Sequence, residues 1–535
     1  MSEADEVQKA IDKADAIHAR LAAAISAVAA ARRAYYGAEK GTASRDPLTA
    51  AETEAQAIAD EFSAALSDAQ RLSGIPEEVF EAIEGSEVHG DSEDRTARSA
   101  LLQTRIAPSD FHEDVLPAAL ANLKGIVDGD WLARWRENGG HKLGAAFLKE
   151  PLNLVRGVRV ESEFPPIHRF AQALLVCEDY LANAESYDFY AGALLVPQTA
   201  ALGNRLPYLR RVAGDTEARI ARLWQGPSDE VDATVFELLV AGAGAAKGQR
   251  LEFLSPGVEK TPDLRVHDYA CPTVVECKRK RVLSDYEREE ARAMRQLFDE
   301  LHSRAVRAGL WGTFELSLNR EIDESAYQPI VDACIQQRLA PKPSKPTEYD
   351  WGTIAYRAQG RRVGGLRTRL YSPLLLEGVF GWSSDMPSHD GIVCKVLSPE
   401  AMWIERAEEP VALMWTNTSE TAIRKRAWSP MDVFGDATGQ IPMGEVGFIY
   451  VAFQEGTREW IADRRTTNLR TRMEKWGHSA GIRLPVAFLV RLYPRPLGHG
   501  EPDLVESTMT FVSDLYGTPE FLAHFPGTVF SKLDR

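Results

Sequence analysis

The chain has 535 residues, of which 44% are hydrophobic and 26% are charged, so it has enough apolar sequence to bury several cores. Its 62 lysine and arginine residues against 78 aspartate and glutamate residues give a net charge of −16, which excludes passive coating of nucleic acid. No apolar run approaches the roughly 20 residues that span a bilayer, and the five cysteines are too scattered for a disulfide framework. We therefore expect a cytoplasmic protein of several domains with no membrane partner.

The first two predicted elements are helices over residues 3–38 and 49–72, in which apolar side chains recur at steps of three and four. A stretch with glycine and proline, residues 41–47, separates them. This pattern predicts a helical hairpin or short coiled coil over residues 1–75. Alanine dominates the apolar stripe, and the stripe suits two uses equally: self-association into a homodimer, and docking onto the body of the same chain.

Residues 76–227 begin with an acidic, polar stretch and continue as mainly helical sequence in which we find no chemistry-bearing pattern. Strand-like sequence begins at Leu251 and then alternates with helices. The predicted strands lie at 273–277 and 313–318, and the predicted helices lie at 285–308 and 325–338. Residues 228–340 are therefore expected to form one core, a mixed α/β sheet flanked by helices.

The last predicted region, residues 341–535, begins with a proline-rich loop and continues as an α/β extension. Its predicted strands lie near 352–357, 391–397, 411–415, 446–453 and 484–492. A basic helix over residues 456–476 is expected to join the last two strands. The sequence leaves open whether this extension continues the sheet of the preceding core.

Residues 261–278 combine a predicted β-hairpin with charged side chains. The flanking segments alternate as short strands do, and the residues between them have the composition of a turn. A period of two places Glu276 and Lys278 on one face of the second strand and Cys277 on the face toward a core. We expect Glu276 and Lys278 to face out of that core, and Asp263, at the start of the first strand, to lie near Glu276.

Two carboxylates and an ammonium group at one sheet edge suit metal-assisted hydrolysis of a phosphodiester bond. Asp263 and Glu276 can hold a hard cation such as Mg²⁺, or Mn²⁺ in its place, and the backbone carbonyl of Cys277 can add a further ligand. Lys278 can orient or help deprotonate the attacking water, or it can stabilise the transition state.

The dipeptide Pro262-Asp263, followed by the triplet Glu276-Cys277-Lys278, resembles the PD-(D/E)xK signature of the restriction-endonuclease-like nucleases. This triplet is the only one in the chain in which an acidic residue precedes a lysine by two positions, and it ends an apolar strand as the family requires. The resemblance covers about residues 228–320. It implies that Asp263 and Glu276 are metal ligands and that Lys278 is the catalytic lysine.

The resemblance also implies a restriction-endonuclease-like fold and a Mg²⁺-dependent nuclease that acts on DNA rather than RNA. Glu237, on the predicted helix before the hairpin, is similar to the family's upstream acidic residue and would be an additional ligand to metal or water. Gln296, on the helix after the hairpin, matches a position that is often polar in such nucleases. Family members of this size serve restriction, anti-phage defence or repair. The chain has no P-loop, so a partner protein would supply any motor or activation.

Basic clusters predict where nucleic acid would bind despite the acidic net charge. The residues that we assign to this role are Arg279, Lys280, Arg281, Arg361, Arg362, Arg367 and Arg369. The first three follow the hairpin directly and would lie beside the scissile phosphate. Solvated helix faces and strand surfaces are the competing interpretation of such clusters.

Two other functions are weighed against the nuclease. The first is a catalytically silent module on the same fold that binds nucleic acid or protein. The second is a serine hydrolase, because Gly477-His-Ser479-Ala-Gly481 matches a nucleophile elbow. That elbow requires a strand before it and a helix after it, and the predicted order here is the reverse.

Overall fold

A computed structural model gives the structure of the chain. Apart from isolated residues (13, 20, 50, 53, 54, 57, 58, 61, 458 and 471), the residues described are 100–108, 115–137, 151–156, 158–160, 167–182, 187–255, 261–269, 272–280, 283–321, 323–337, 346–369, 372–382, 389–398, 403–442, 445–456, 460–468, 485–496, 502–512 and 529–530.

Two eight-stranded mixed sheets organise the described residues. The first contains β1 (Ala100–Pro108), β4 (Ala213–Gly214), β5 (Leu251–Phe253), β6 (Leu264–Val266), β7 (Thr273–Arg279), β14 (Val446–Gln454), β15 (Pro485–Pro496) and β16 (Pro502–Val512). Their order is β1-β16-β15-β14-β7-β6-β5-β4. Strands β7, β14 and β15 run parallel to one another in the middle of this sheet. Their near-continuous apolar sequence suits strands that are buried on both faces.

The second sheet is formed by residues from other parts of the chain. It contains β2 (Leu152–Val155), β3 (Val158–Arg159), β8 (Gly312–Leu318), β9 (Thr347–Tyr349), β10 (Gly352–Ala358), β11 (Arg362–Arg369), β12 (Gly391–Leu397) and β13 (Trp403–Asn417). The order is β3-β2-β12-β13-β8-β10-β9, and β11 pairs with β13. Strand β13 runs parallel to β8 and antiparallel to β12. The mixed α/β class expected from the sequence is confirmed.

Helices cover both sheets. Those with defined bounds are α1 (Val115–Lys124), α2 (Arg169–Ala182), α3 (Phe189–Leu209), α4 (Thr216–Gln225), α5 (Val231–Ala246), α6 (Asp285–Ala308), α7 (Glu324–Gln336), α8 (Pro373–Phe380) and α9 (Glu420–Gln440). Residues 129–137 and 460–468 are also helical. In the described part of the chain, no helix combines the length and apolar character needed to cross a membrane.

The two faces of β7 are covered by different helices. Val275 and Cys277 belong to a large core with α5, whose Phe236 and Leu239 are fully buried. On the opposite face, Val274 packs in a smaller core with Phe434 and other residues of α9. Helix α9 therefore packs on the face of β7 to which Glu276 and Lys278 also belong.

The predicted core at residues 228–340 does not correspond to one sheet. Strand β8 pairs with β10 and β13 of the second sheet, and β7 pairs instead with β14, which is more than 160 residues further along the chain. Helix α6, which follows β7 directly, packs on strands of the second sheet, and α9 takes the position beside β7 and β14. The rule that consecutive elements are neighbours fails here because residues 283–417, which lie in the chain between β7 and β14, contribute six of the eight strands of a different sheet.

The other predicted regions also contribute strands to the two sheets. The described part of residues 76–227 is mainly helical, as predicted, and it also contains β1 and β2, which pair with β16 and β12. The predicted extension at 341–535 divides between the sheets, because β9 to β13 join the second and β14 to β16 join the first. Most of the hairpin predicted over residues 1–75 lies outside the described residues. Arg20 and Glu61 are described and form an ion pair with 3.0 Å between Nη1 and Oε2.

Candidate active site

The hairpin of β6 and β7 holds Asp263 beside the second strand. Leu264 is the first residue of β6 and lies opposite Val275, so Asp263 is placed just beyond the end of the paired ladder. Its Oδ2 accepts a hydrogen bond of 2.8 Å from the backbone N–H of Cys277. The carboxylate oxygen thereby takes the place of a backbone carbonyl beyond the end of β6, and it satisfies a buried backbone donor. The predicted hairpin and the closeness of Asp263 to the second strand are confirmed.

The alternation predicted for β7 is confirmed, but the expected exposure of Glu276 is wrong. Cys277 faces the core with α5, and Glu276 and Lys278 face the other side. The side chain of Glu276 is 0% exposed, because α9 packs over that face of the sheet. Lys278 is partly exposed, and its Nζ lies 2.5 Å from Oε1 of Glu276.

Glu276 is only partly compensated in this position. Its Oε2 is buried, and none of the described residues donates a hydrogen bond to it. Burial raises the pKa of the Glu276 carboxyl to about 8, with a further rise from the charge of Asp263, and Lys278 opposes both effects. Burial acts to lower the pKa of Lys278, but the charge and hydrogen bond of Glu276 together with the charge of Asp263 raise it overall. Lys278 is therefore an ammonium group at neutral pH.

Arg219, a residue that the sequence interpretation did not single out, lies between two of the predicted metal ligands. Its Nη1 contacts a carboxylate oxygen of Glu237 and lies 3.2 Å from Oδ1 of Asp263. Its Nη2 donates a 3.2 Å hydrogen bond to the carbonyl of Leu254, and the guanidinium group lies 5.4 Å from the centre of the Phe253 ring. Arg219 is thus held by contacts on several sides.

A sequence signal for Arg219 does exist in α4. Thr216, Arg219 and Leu223 are the buried residues of this helix, and they recur at steps of three and four. An arginine on the buried stripe of an amphipathic helix requires a buried partner. The pattern predicts such a partner, but the sequence does not identify it as Glu237 and Asp263.

The pKa values of Glu237 and Asp263 are raised, as is that of Glu276. Burial raises the pKa of Glu237 to about 7, the charge of Asp263 adds to this, and Arg219 opposes it. Burial also raises the pKa of Asp263, against the effects of the Cys277 N–H and of Arg219. Three carboxyl groups therefore lie close enough to affect one another, with Arg219 and Lys278 as the cations in contact with them.

The chemistry of these donors fits a hard divalent cation. Asp263, Glu276 and Glu237 supply carboxylate oxygens, and Oε2 of Glu276 has no partner within the described part of the chain. The N–H of Cys277 points toward Asp263, so the carbonyl of the same strand residue points to that side also. Within the described residues, no three His, Cys, Asp or Glu side chains are already grouped as metal ligands. Arg219 occupies the space between Glu237 and Asp263.

The basic residues that follow the hairpin do not form one exposed patch. The guanidinium nitrogens of Arg279 are buried without a hydrogen-bond partner among the described residues, and burial lowers its pKa to about 10. The backbone N–H of Lys280 continues the pairing of β7 with β14 through the carbonyl of Ala452. Arg281 lies outside the described residues. The prediction that Arg279 is a surface contact for nucleic acid is therefore corrected, because the core side of β7 is its environment.

The second predicted basic cluster lies on the second sheet, away from the hairpin. Arg361 pairs with Glu409 at 2.8 Å, and Arg362 pairs with Glu408 at 3.5 Å. Arg369 lies over the ring of Phe189. Arg367 is exposed. The cluster has no acid within its own sequence, but β13 supplies acids from the neighbouring strand.

Two further sequence matches do not join the site. Gln296 lies on α6, where its side chain faces Tyr327 rather than the hairpin. Ser479 is outside the described residues. The residues that the structure brings together are Asp263, Glu276, Lys278 and Glu237, with Arg219 added. Comparisons of the chain with protein-family models, with curated proteins and with solved structures find no match.

Proposed function

We propose that the protein is a metal-dependent nuclease that hydrolyses phosphodiester bonds, of DNA rather than RNA. The observation that carries this proposal is Glu276, a fully buried carboxyl group with an unpartnered oxygen, in contact with Lys278 and close to Asp263. A buried, incompletely paired carboxyl group destabilises a fold. Groups of this kind, with raised pKa values, concentrate at functional sites.

The order of elements around the hairpin supports the same proposal. Helix α5, strand β5 and the hairpin β6–β7 follow one another in the chain, and α9 then packs on β7. The first three of these elements stand in the order that the restriction-endonuclease-like resemblance implies, but the helix that follows the hairpin in the chain, α6, packs on the second sheet. In this chain the second sheet is inserted before the last of these helices.

Each residue of the site has a role in this proposal. Asp263, Glu276, the Cys277 carbonyl and Glu237 would hold the cation, Mg²⁺ or Mn²⁺. When bound, such a cation supplies stabilisation of negative charge on the phosphate and activation of water. Lys278 is an ammonium group, so it would donate a hydrogen bond to the attacking water or to a phosphate oxygen rather than accept a proton.

The setting of the proposed reaction follows the sequence expectations. The protein would act in the cytoplasm, in restriction, anti-phage defence or repair, as a homodimer through the N-terminal helices or with a partner protein that activates it. Such a partner would account for the burial of Glu276, because access of DNA to β7 requires displacement of covering residues.

The test is cleavage of supercoiled plasmid, linear duplex DNA, single-stranded DNA and RNA by the purified full-length protein in Mg²⁺ or Mn²⁺. We expect cutting of DNA that EDTA abolishes, and a loss on the order of 100-fold in the variant Lys278→Ala. The matched control is Lys425→Ala, because Lys425 forms an exposed pair with Glu321 at 3.0 Å. Cutting by Lys278→Ala at the rate of the wild type would contradict the proposal.

A catalytically silent binding module is the second candidate, and the position of Arg219 favours it. With Arg219 bound to Glu237 and Asp263, protein cations already neutralise part of the carboxylate charge. Calorimetric titration with Mn²⁺ separates the two candidates. A nuclease should bind the cation through Glu276, and Glu276→Gln should weaken this binding. A silent module should show no binding that depends on Glu276.

A further inference from the structure

Arg219 has a more specific role if the nuclease proposal is correct, on which this inference rests. We propose that Arg219 is an internal counter-ion of the site, which occupies the space between Glu237 and Asp263 and competes with the divalent cation for Asp263. The sequence resemblance assigns no role to this residue. The inference follows from the contacts of its guanidinium group.

The side chain of Arg219 is held in a defined position. Its side chain is 6% exposed, so the two carboxylates that it contacts are not a surface ion pair. The carbonyl of Leu254 and the ring of Phe253 also contact the guanidinium group and restrict its orientation. An arginine held in this way fills the position between Glu237 and Asp263 with a positive charge of defined location.

Both carboxylate oxygens of Asp263 have partners in this structure. Its Oδ2 accepts the N–H of Cys277, and its Oδ1 faces Arg219 at 3.2 Å. A cation that binds Asp263 through Oδ1 must take the place of the guanidinium group, because two positive centres exclude each other at such distances. The Leu254 carbonyl and the Glu237 oxygen that Arg219 contacts can retain Arg219 when it leaves Asp263, and the other oxygen of Glu237 stays available to the cation.

Arg219 leaves Glu276 uncompensated. Arg219 contacts Glu237 and Asp263, whereas Glu276 contacts only Lys278 among the charged side chains described. Displacement of Arg219 from Asp263 would free Oδ1 to act together with Glu276.

The experiment is calorimetric titration of the full-length protein with Mn²⁺, with Arg219→Gln compared with Arg222→Gln. Arg222 lies on the same helix and is near enough to lower the pKa of Glu237, but it forms no ion pair with Asp263. It therefore reports the effect of a nearby charge without occupancy of the site. We expect Arg219→Gln to bind Mn²⁺ at least about tenfold more tightly than the wild type, and Arg222→Gln to change the affinity by less than about threefold.

The outcomes separate this inference from the proposed function. If the wild type binds Mn²⁺ through Glu276 and Arg219→Gln binds it equally or more weakly, the competition is overturned and the metal site stands. If neither protein binds Mn²⁺, both proposals are overturned. Circular dichroism checks the fold of each variant. Arg219→Lys, which keeps a positive charge but cannot bridge Glu237 and Asp263 as a guanidinium group does, replaces the glutamine variant if that one does not fold, and it should also bind Mn²⁺ more tightly than the wild type.

Discussion

Glu276 on β7 and Glu287 on α6 are both buried, but their surroundings shift the pKa values of the two carboxyl groups in opposite directions. Glu287 is 3% exposed and pairs with Arg156 at 2.9 Å. It also accepts hydrogen bonds from the N–H and hydroxyl of Ser284, which begins α6 in a capping box. Burial alone would raise the pKa of Glu287, but Arg156 and Ser284 lower it below its usual value. Glu276 has one cation and an unpartnered oxygen, and its pKa rises to about 8.

The surroundings of the two glutamates differ in the same way. Near α6, Arg426 contacts both Glu290 and Asp390, and Arg458 pairs with Asp390 at 3.2 Å. Burial still raises the pKa of Glu290, so these pairs offset desolvation without abolishing it. In the hairpin region, three carboxyl groups with raised pKa values contact two cations. The ion pairs at the junction of the two sheets therefore stabilise the fold, whereas the incompletely compensated carboxyl groups of the hairpin region are of the kind that concentrates at functional sites.

The largest effect is expected from breaking the compensated pair. Arg156→Met removes the partner of Glu287 and leaves a buried carboxylate, at a cost of about 3–5 kcal/mol in the free energy of unfolding. Arg156 also donates a 3.0 Å hydrogen bond to the carbonyl of Gln454 on β14, so the variant weakens the contact between the sheets as well. Urea denaturation followed by tryptophan fluorescence measures this loss.

The control for this prediction removes both charges. The double variant Arg156→Met, Glu287→Gln should regain part of the stability, because no uncompensated carboxylate remains. A loss below about 1 kcal/mol in the single variant would show that Ser284 alone satisfies Glu287.

An intermediate effect is expected from Glu276, and it depends on pH. Its pKa in the folded protein, about 8, is above the usual value of 4.5, so the folded state retains the proton over that interval. Stability from this group is fully present below the usual pKa and is lost as the pH rises through about 8. In EDTA, the wild type should therefore lose on the order of a few kcal/mol between about pH 5.5 and about pH 8.5. Glu276→Gln should show a shallower decline, because Glu237 and Asp263 still titrate.

Glu287→Gln is the matched control for this pH dependence. The pKa of Glu287 is lowered in the folded protein, so its contribution is present above its usual value and is lost only as the pH falls through the lowered value. In the neutral range its variant should run parallel to the wild type, with a constant deficit. Equal slopes for Glu276→Gln and the wild type would contradict the raised pKa of Glu276.

The site was more predictable from the sequence than the fold that surrounds it. The hairpin, the alternation of Glu276 and Cys277, and the position of Asp263 are local, so period and turn composition are sufficient to predict them. The burial of Glu276 is not local, because α9, which covers it, begins more than 140 residues later in the chain. Arg219 presents the same difficulty, since its partners lie on α5 and at the start of β6.

The division of the chain into sheets was the least predictable feature. The sequence of α6 and β8 is typical of the next helix and strand of a continuing α/β sheet. The sequence of a single strand does not determine which sheet that strand joins. Pairing of β7 with β14 depends on the complementary packing of Val274 with Ile449 and other residues of α9 and β14, which are distant in sequence.

The smallest effect is expected on the surface of the second sheet, where charge compensation is again the variable. Arg361 is exposed and pairs with Glu409, so Arg361→Ala should change the free energy of unfolding by less than about 1 kcal/mol.

Arg367 is exposed, and none of the described acidic side chains forms an ion pair with it. If this surface binds DNA, Arg367→Ala should reduce the slope of log affinity against log salt by about one, as loss of one phosphate contact does. Arg361→Ala should leave that slope unchanged, because Glu409 already neutralises Arg361. Fluorescence anisotropy with a labelled duplex over a series of salt concentrations measures both slopes, and equal reductions would show that pairing with an acid does not remove an arginine from the interface.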